Sequence, residues 1–171
     1  MDLGDVIRQR RSIRKYKSMP VRKELLDEIL ECGLYAPSSG DLQCRHLYVV
    51  QDEKTKKDIS KVAYDQKFIA QAPVVIVVCA DNRIEKEYGD DGKNLYVFLD
   101  CAAAIQNILI RSYSLGLGSC WVGAFDAAKV SKIINAPSHF GPVSLVTLGY
   151  ADESPEPSKR KKTITFINEN N

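Results

Sequence analysis

The chain has 171 residues, enough for one domain with a sizeable core, and a composition that is 44% apolar and 27% charged excludes a disordered or fibrous polypeptide. Its formal net charge of +2 leaves no global field directed at nucleic acid or an anionic membrane. Five cysteines, an odd number with no C-x-x-C spacing, argue against a disulfide framework or a zinc cluster and for reduced thiols in the cytoplasm.

Residues 1–5 carry no apolar stretch behind a basic start, so no signal peptide is expected. Residues 2–11 read as a short helix with Asp2 as N-cap and Leu3, Val6 and Ile7 on one face. Six basic residues, Arg8 to Lys17, surround its end. A second helix is predicted over 21–35, where Leu25, Leu26, Ile29, Leu30 and Leu34 recur at helical spacing; Pro37 stops it, and 37–41 reads as a loop. Residues 47–50 predict a short strand, and 52–62 a charged surface helix. The run 74–79 (Val-Val-Ile-Val-Val-Cys) is β-branched without alternation, which predicts a central strand buried on both faces. Its apolar stretch, 73–80, is far below the roughly 20 residues that span a bilayer. Residues 81–93 are polar and read as a loop. The longest helix is expected over 94–115, apolar nearly all round and therefore buried or facing a partner, with Gly116 and Gly118 ending it. Asp126 predicts a cap for a helix through Ile134, 143–150 a strand, 152–157 a Pro-rich turn, and 163–167 a last strand after the basic run Lys159-Arg160-Lys161-Lys162. No repeat or internal linker interrupts the pattern, so a single α+β domain over 1–171 is expected.

Several chemistries lack their residues. There are two histidines, His46 and His139, and no H-E-x-x-H, no Walker A loop and no G-x-S-x-G elbow. Gly116-x-Gly118 lacks the third glycine of a dinucleotide fingerprint. Cys44 and His46 raise a thiol nucleophile, but a small core hydrophobe is the more ordinary role of a cysteine. What remains is cationic: Arg10-Arg11-Ser12-Ile13-Arg14 near one end and 159–162 near the other. Forked guanidiniums with a hydroxyl suit a phosphate dianion if the two ends meet; otherwise they are solvated basic patches. A nucleic-acid surface is weakened by the absence of interleaved aromatics. Residues 37–43 and 118–125 add small hydroxyls, an amide, backbone N–H groups at a glycine-rich bend and two aromatics, a set that could receive a flat heterocycle with polar edges. The plain alternative is two ordinary loops with Trp121 and Phe125 in the core.

In these segments the sequence resembles the nitroreductase family of FMN-dependent oxidoreductases, in register over nearly the whole chain. The pieces that carry the resemblance are 10–14, 36–43, 115–123 and Leu148-Gly149-Tyr150 with the basic turn after it. The resemblance implies a central mixed, mainly antiparallel sheet flanked by helices, and a homodimer with FMN at the subunit interface, the 94–115 helix being the natural contact. It implies that Arg10, Arg11 and Ser12 hold the FMN phosphate. Arg14 would lie near the pyrimidine edge, where its charge would stabilise the reduced ring. Pro37, Ser38, Ser39 and Gln43 would reach the partner subunit's flavin, and the backbone of Trp121, Val122 and Gly123 would approach the ring. One or more of Lys159, Arg160 and Lys161 would complete the phosphate site, and Asp65 or Gln66 would meet the ring edge. The implied reaction passes hydride from NAD(P)H through flavin N5 to a nitroaromatic, quinone or enone, with no obligatory protein acid or base and therefore no catalytic side chain. The alternative is a protein that binds or processes FMN without NAD(P)H turnover. Asp41, Cys44-Arg45-His46 and the C-terminal segment depart from the family's usual residues, and the chain is short for the family. No metal, nucleic-acid or membrane partner is expected.

Overall fold

The computed structural model describes residues 2–165. Its sheet has four antiparallel strands in the order β1 (Arg45–Val50), β2 (Val74–Asp81), β4 (Phe140–Gly149), β3 (Gly118–Val122). The mixed character expected of the sheet is confined to a parallel bridge between Ser12 and Ser119, where the N-terminal arm joins the outer edge of β3. Every residue of β2 is buried, because helices cover both faces. Val74, Ile76, Val78 and Ala80 face α2 (Lys23–Leu34) and α6 (Val97–Ser114). Val75, Val77 and Cys79 face α3 (Glu53–Val62), α4 (Lys67–Gln71) and α7 (Ala127–Ile133), with Ile59, Ile69 and Val130 filling that layer.

Local chemistry sets the helix starts. Asp2 accepts from the Gly4 N–H ahead of α1 (Leu3–Gln9), Asp52 from Thr55 ahead of α3, and Asp126 from Lys129 ahead of α7. The predicted helices over 2–11, 52–62 and 126–134 are therefore present with trimmed ends, and so is that over 21–35, which starts without a side-chain cap and is held by Leu26 and Ile29 in the core.

Three predicted features are corrected. Residues 81–93 are helical rather than a loop: Asp81 caps Arg83, a short 3-10 turn (Asn82–Ile84) leads into α5 (Glu85–Asp91), and a wide π-type turn (Gly92–Tyr96) joins it to α6. The polar composition reflects exposure, Ile84 alone anchors the segment, and Gly89, at φ 56° and ψ −145°, breaks the helical pattern. The glycine-rich bend expected around 118–123 is largely strand β3; only Gly116, at φ 77°, makes the turn. No strand forms over 163–165, and residues 166 and 167 of that prediction lie outside the described residues. The short helix α4 had no counterpart in the sequence reading.

The stretch from Asn82 to Ser114 is long and apolar enough to cross a membrane by length and composition. Its buried face, with Val97, Cys101, Ile105 and Ile108, is instead packed in the core against the sheet and α2. The opposite side leaves Leu95, Phe98 and Leu99 exposed.

Candidate functional site

After α1 the chain turns extended at Arg10 (ψ 132°) and runs along the outer edge of β3. Ile13 donates its N–H to Ser119 O at 3.0 Å and buries its side chain on Gly118, where an added Cβ would stand 2.8 Å from Ile13 Cγ1. With Ile13 turned inward, alternation turns Ser12 and Arg14 the other way. Tyr16 locks the arm: its hydroxyl donates to Ile13 O at 2.6 Å and lies 2.7 Å from Thr147 Oγ1, and burial pushes its pKa upward. The C-terminal segment is stapled to the same arm. Lys17 N–H donates to Tyr150 O, Asp152 N–H to Lys15 O, and the Glu153 carboxylate accepts from the backbone N–H groups of both Arg14 and Lys15. The two ends of the chain therefore meet.

Cations gather there. Arg10 is half-buried, and its pKa is lowered by burial, by Arg11 and by Arg160. Arg160 is thus the member of 159–161 whose charge reaches Arg10, though all three are exposed. Burial raises the thiol pKa of Cys120, opposed by Arg14, Ser12 and Arg10, in keeping with the alternation that turns these three residues of the arm to one side. Arg14 lies over the Phe68 ring at 5.8 Å. Arg11 turns away: its Nη1 donates to Arg8 O at 2.7 Å and Arg10 O at 2.9 Å, and it lines the far side of the arm. Among the described residues, none of Arg10, Arg11, Arg14 and Arg160 forms a side-chain ion pair. A cavity of about 490 Å³, with Arg11, Ile13, Tyr113, Glu153 and Pro155 in its wall, opens on Arg11's side and not on that of Arg10, Ser12 and Arg14.

Trp121 is 41% exposed and so is not a core residue, while Cys120 and Val122 on either side of it are buried. Because Ser119 O faces the open edge of β3 to receive Ile13, strand alternation turns the Trp121 N–H and C=O to the same edge, beside the cations. Gly123 follows in open space, with nothing within 4 Å of a Cβ placed there. Gln66 is committed to structure: its Nε2 donates to Ala63 O at 2.8 Å and Ala124 O at 2.9 Å, leaving only its side-chain oxygen for a ring edge. Asp65 is exposed, in left-handed backbone (φ 56°).

The other candidate residues lie elsewhere. Pro37, Ser38, Ser39 and Gln43 precede β1, the opposite edge strand, three strand spacings or about 14 Å from β3. Within one chain they do not meet the cations. Ser39 is held by the buried Asp100 carboxylate of α6, and the Gln43 N–H donates to Ser38 Oγ at 2.9 Å.

The nitroreductase family profile matches residues 7–67 and 60–150. The chain belongs to the nitroreductase family. Among relatives, a Methanothermobacter thermautotrophicus protein provisionally named NADH dehydrogenase/NAD(P)H nitroreductase is 36% identical over 159 residues, 91% of this chain and 80% of its own. Among solved structures, an FMN-dependent nitroreductase from Clostridium difficile superposes with a TM-score of 0.80 at 29% identity, over 91% of each chain. The NADPH:FMN oxidoreductase of Vibrio harveyi, solved with NAD+, gives 0.85 at 26% identity over 97% of this chain and 79% of that one. The neighbours confirm the nitroreductase-like α+β fold.

In this nitroreductase-family site the sequence does not announce Tyr16, Phe68, Asp100, Thr147 or Glu153. Phe68, Asp100 and Glu153 support candidate residues from distant parts of the chain, Glu153 across 139 positions, and Tyr16 with Thr147 anchors the arm at Ile13; no local pattern marks such partners.

Proposed function

We propose that this protein is an FMN-dependent NAD(P)H oxidoreductase that works as a homodimer in the cytoplasm. The observation that carries the reading is the joining of the two chain ends by backbone hydrogen bonds, which gathers Arg10, Arg14 and Arg160, cations without ion-pair partners among the described residues, near the Ser12 hydroxyl. Like charges gathered around the half-buried Arg10 favour an anion, and a phosphate dianion fits forked donors beside a hydroxyl. FMN, when bound, supplies two-electron transfer between a nicotinamide and an acceptor such as a nitroaromatic, quinone or enone.

The chain's own residues bind and orient. Arg10, Ser12 and Arg160 hold the phosphate, with Arg11 adding charge from behind. Arg14, braced on Phe68, sets positive charge at the pyrimidine edge. The Trp121 backbone and Gly123 offer an open strand edge for the ring, flanked by Val122. Pro37, Ser38, Ser39 and Gln43 sit too far off to serve their own chain's site, which supports their service to the partner's. Exposed Phe98, Leu99, Leu34 and Tyr35 supply apolar surface for that contact. No protein group has to move a proton; the Cys120 thiol, raised by burial, is no nucleophile at neutral pH. The names of the Vibrio and Clostridium proteins are in keeping with this reading.

The test is steady-state oxidation of NADH or NADPH by the FMN-loaded protein with p-benzoquinone or a nitroaromatic. Saturable turnover that requires FMN is expected. FMN uptake without NAD(P)H oxidation would make the protein a flavin carrier instead.

A further inference from the structure

We infer that Asp100 is a positioning residue for the 37–43 loop, and through it for the partner subunit's flavin, with Arg45 as its counterpart where the loop begins. This rests on the flavin reading above. Asp100 is the fourth residue of α6 and 5% exposed. One carboxylate oxygen accepts from both the backbone N–H and the hydroxyl of Ser39, each at 3.0 Å. Its other oxygen is buried with no partner among the described residues. Arg45, 8% exposed, is its mirror: Nη2 donates to Leu34 O and Ala36 O at 2.7 Å each, while Nε and Nη1 are buried without partners. Ala36 directly precedes the loop, so the guanidinium grips its start and the carboxylate its middle.

Two buried, half-used charges are a poor way to stabilise a core. The neighbouring buried positions of α6, Val97, Cys101 and Ile105, show that apolar or thiol side chains fit this layer. Burial raises the Cys101 thiol to about 12, with Asp100 adding to the rise and Arg45 opposing it, so both charges bear on the same spot.

The loop itself supplies an independent reason for such a clamp. Gly40, Asp41 and Gln43 are all left-handed, with φ of 55°, 55° and 53°. Two of these are not glycine, and such backbone persists only where surrounding contacts over-determine it. The Tyr88 hydroxyl occupies the space where a Cβ on Gly40 would go, pinning the turn from the other side. Held this way, the loop presents Ser38 and Gln43 in one fixed geometry instead of several.

The experiment compares wild type, Asp100→Ala, Asp100→Asn and Ser39→Ala in the full chain. Amide hydrogen exchange of residues 38–43 is read in FMN-free protein, with β2 as internal control, and FMN affinity is read by titration. Asp100→Ala should speed exchange in 38–43 by about tenfold or more with β2 unchanged, and weaken FMN binding by about tenfold or more. Asp100→Asn keeps both the volume and an acceptor oxygen for Ser39 and should recover most of both. A further variant, Asp100→Leu, keeps similar volume without an acceptor and should behave as Asp100→Ala; recovery in Asp100→Leu would mean a purely space-filling role and overturns the inference. Ser39→Ala, which leaves the core untouched, should speed loop exchange in the same direction by less. Unchanged loop exchange in Asp100→Ala, exchange that rises equally in β2, or an opened loop with unchanged FMN affinity each overturns the inference. Wild-type protein that takes up no FMN overturns the flavin reading before any variant is compared, and this inference with it.

Discussion

Replacing Arg10 with alanine should separate two energies that usually move together. In the FMN-free fold Arg10 is half-buried, and burial, Arg11 and Arg160 all lower its pKa. A folded-state pKa below the unfolded value means that the charged form opposes folding at every pH below the arginine range. Removing the charge should therefore leave FMN-free stability within about 0.5 kcal/mol of wild type, or raise it. Binding should go the other way. A charge-assisted contact to phosphate is worth roughly 1.5–3 kcal/mol, which converts to about 10- to 150-fold weaker FMN affinity. The assays are flavin fluorescence titration of the FMN-free chain and thermal unfolding of the same preparation. Unchanged FMN affinity would refute the phosphate assignment; a large drop in FMN-free stability would refute the claim that Arg10 sits among unbalanced like charges.

Gly118→Ala would place a methyl 2.8 Å from Ile13 Cγ1 and 2.9 Å from its Cβ, so it should push the N-terminal arm off β3. A loss of about 1–3 kcal/mol in denaturant unfolding, with weaker FMN binding, is expected, and wild-type behaviour in both would contradict the packing. Cys79 and Cys101 are buried with thiols pushed up to about 12, and burial also raises Cys120. A thiol reagent at pH 8 should therefore label only the half-buried Cys32 and Cys44 in the native chain, and all five cysteines after denaturation. Native labelling of Cys120, read by mass spectrometry, would contradict its place beneath Ser12. Four carboxylates have folded pKa values below their ordinary range, Asp58 through its hydrogen bonds from Lys54 and Lys61. Asp52 is lowered by its hydrogen bonds from Thr55 and Asp126 by those from Lys129; burial alone would raise Asp81, but Arg83 outweighs it. The stability they contribute is present above the unfolded carboxylate value near 4 and lost as pH falls through the lower folded values. Urea midpoints should hold from pH 7 to about 5 and fall below about pH 4; midpoints that rise on acidification would refute the assignment.

The parts of the fold legible in the sequence are those set by local chemistry. The unbroken β-branched run of β2 marks burial on both faces, and Asp2 and Asp126 mark their helices because an N-cap is written in one side chain; the helix over 52–62 shows in its charged composition, its Asp52 cap only in the structure. The region 81–93 misled because a helix with one anchoring residue, Ile84, shows no apolar stripe, and Gly89 breaks the pattern further. Strand β3 misled because its glycine at 118 answers to the close approach of Ile13, not to a turn. For the site, the arginines and serines were visible as residue types. Their arrangement was not, because it depends on pairings across the chain: Asp100 with Ser39 over 61 positions, Glu153 with Arg14 over 139. The turning away of Arg11, and the choice of Arg160 over its lysine neighbours, come from the same long-range packing.

The most direct measurement is the absorption spectrum of the purified protein after incubation with FMN and gel filtration, recorded before and after NADH or NADPH under anaerobic conditions. The account predicts a retained flavin band that bleaches on addition of the nicotinamide. A colourless protein that lets added FMN pass through the column would contradict it.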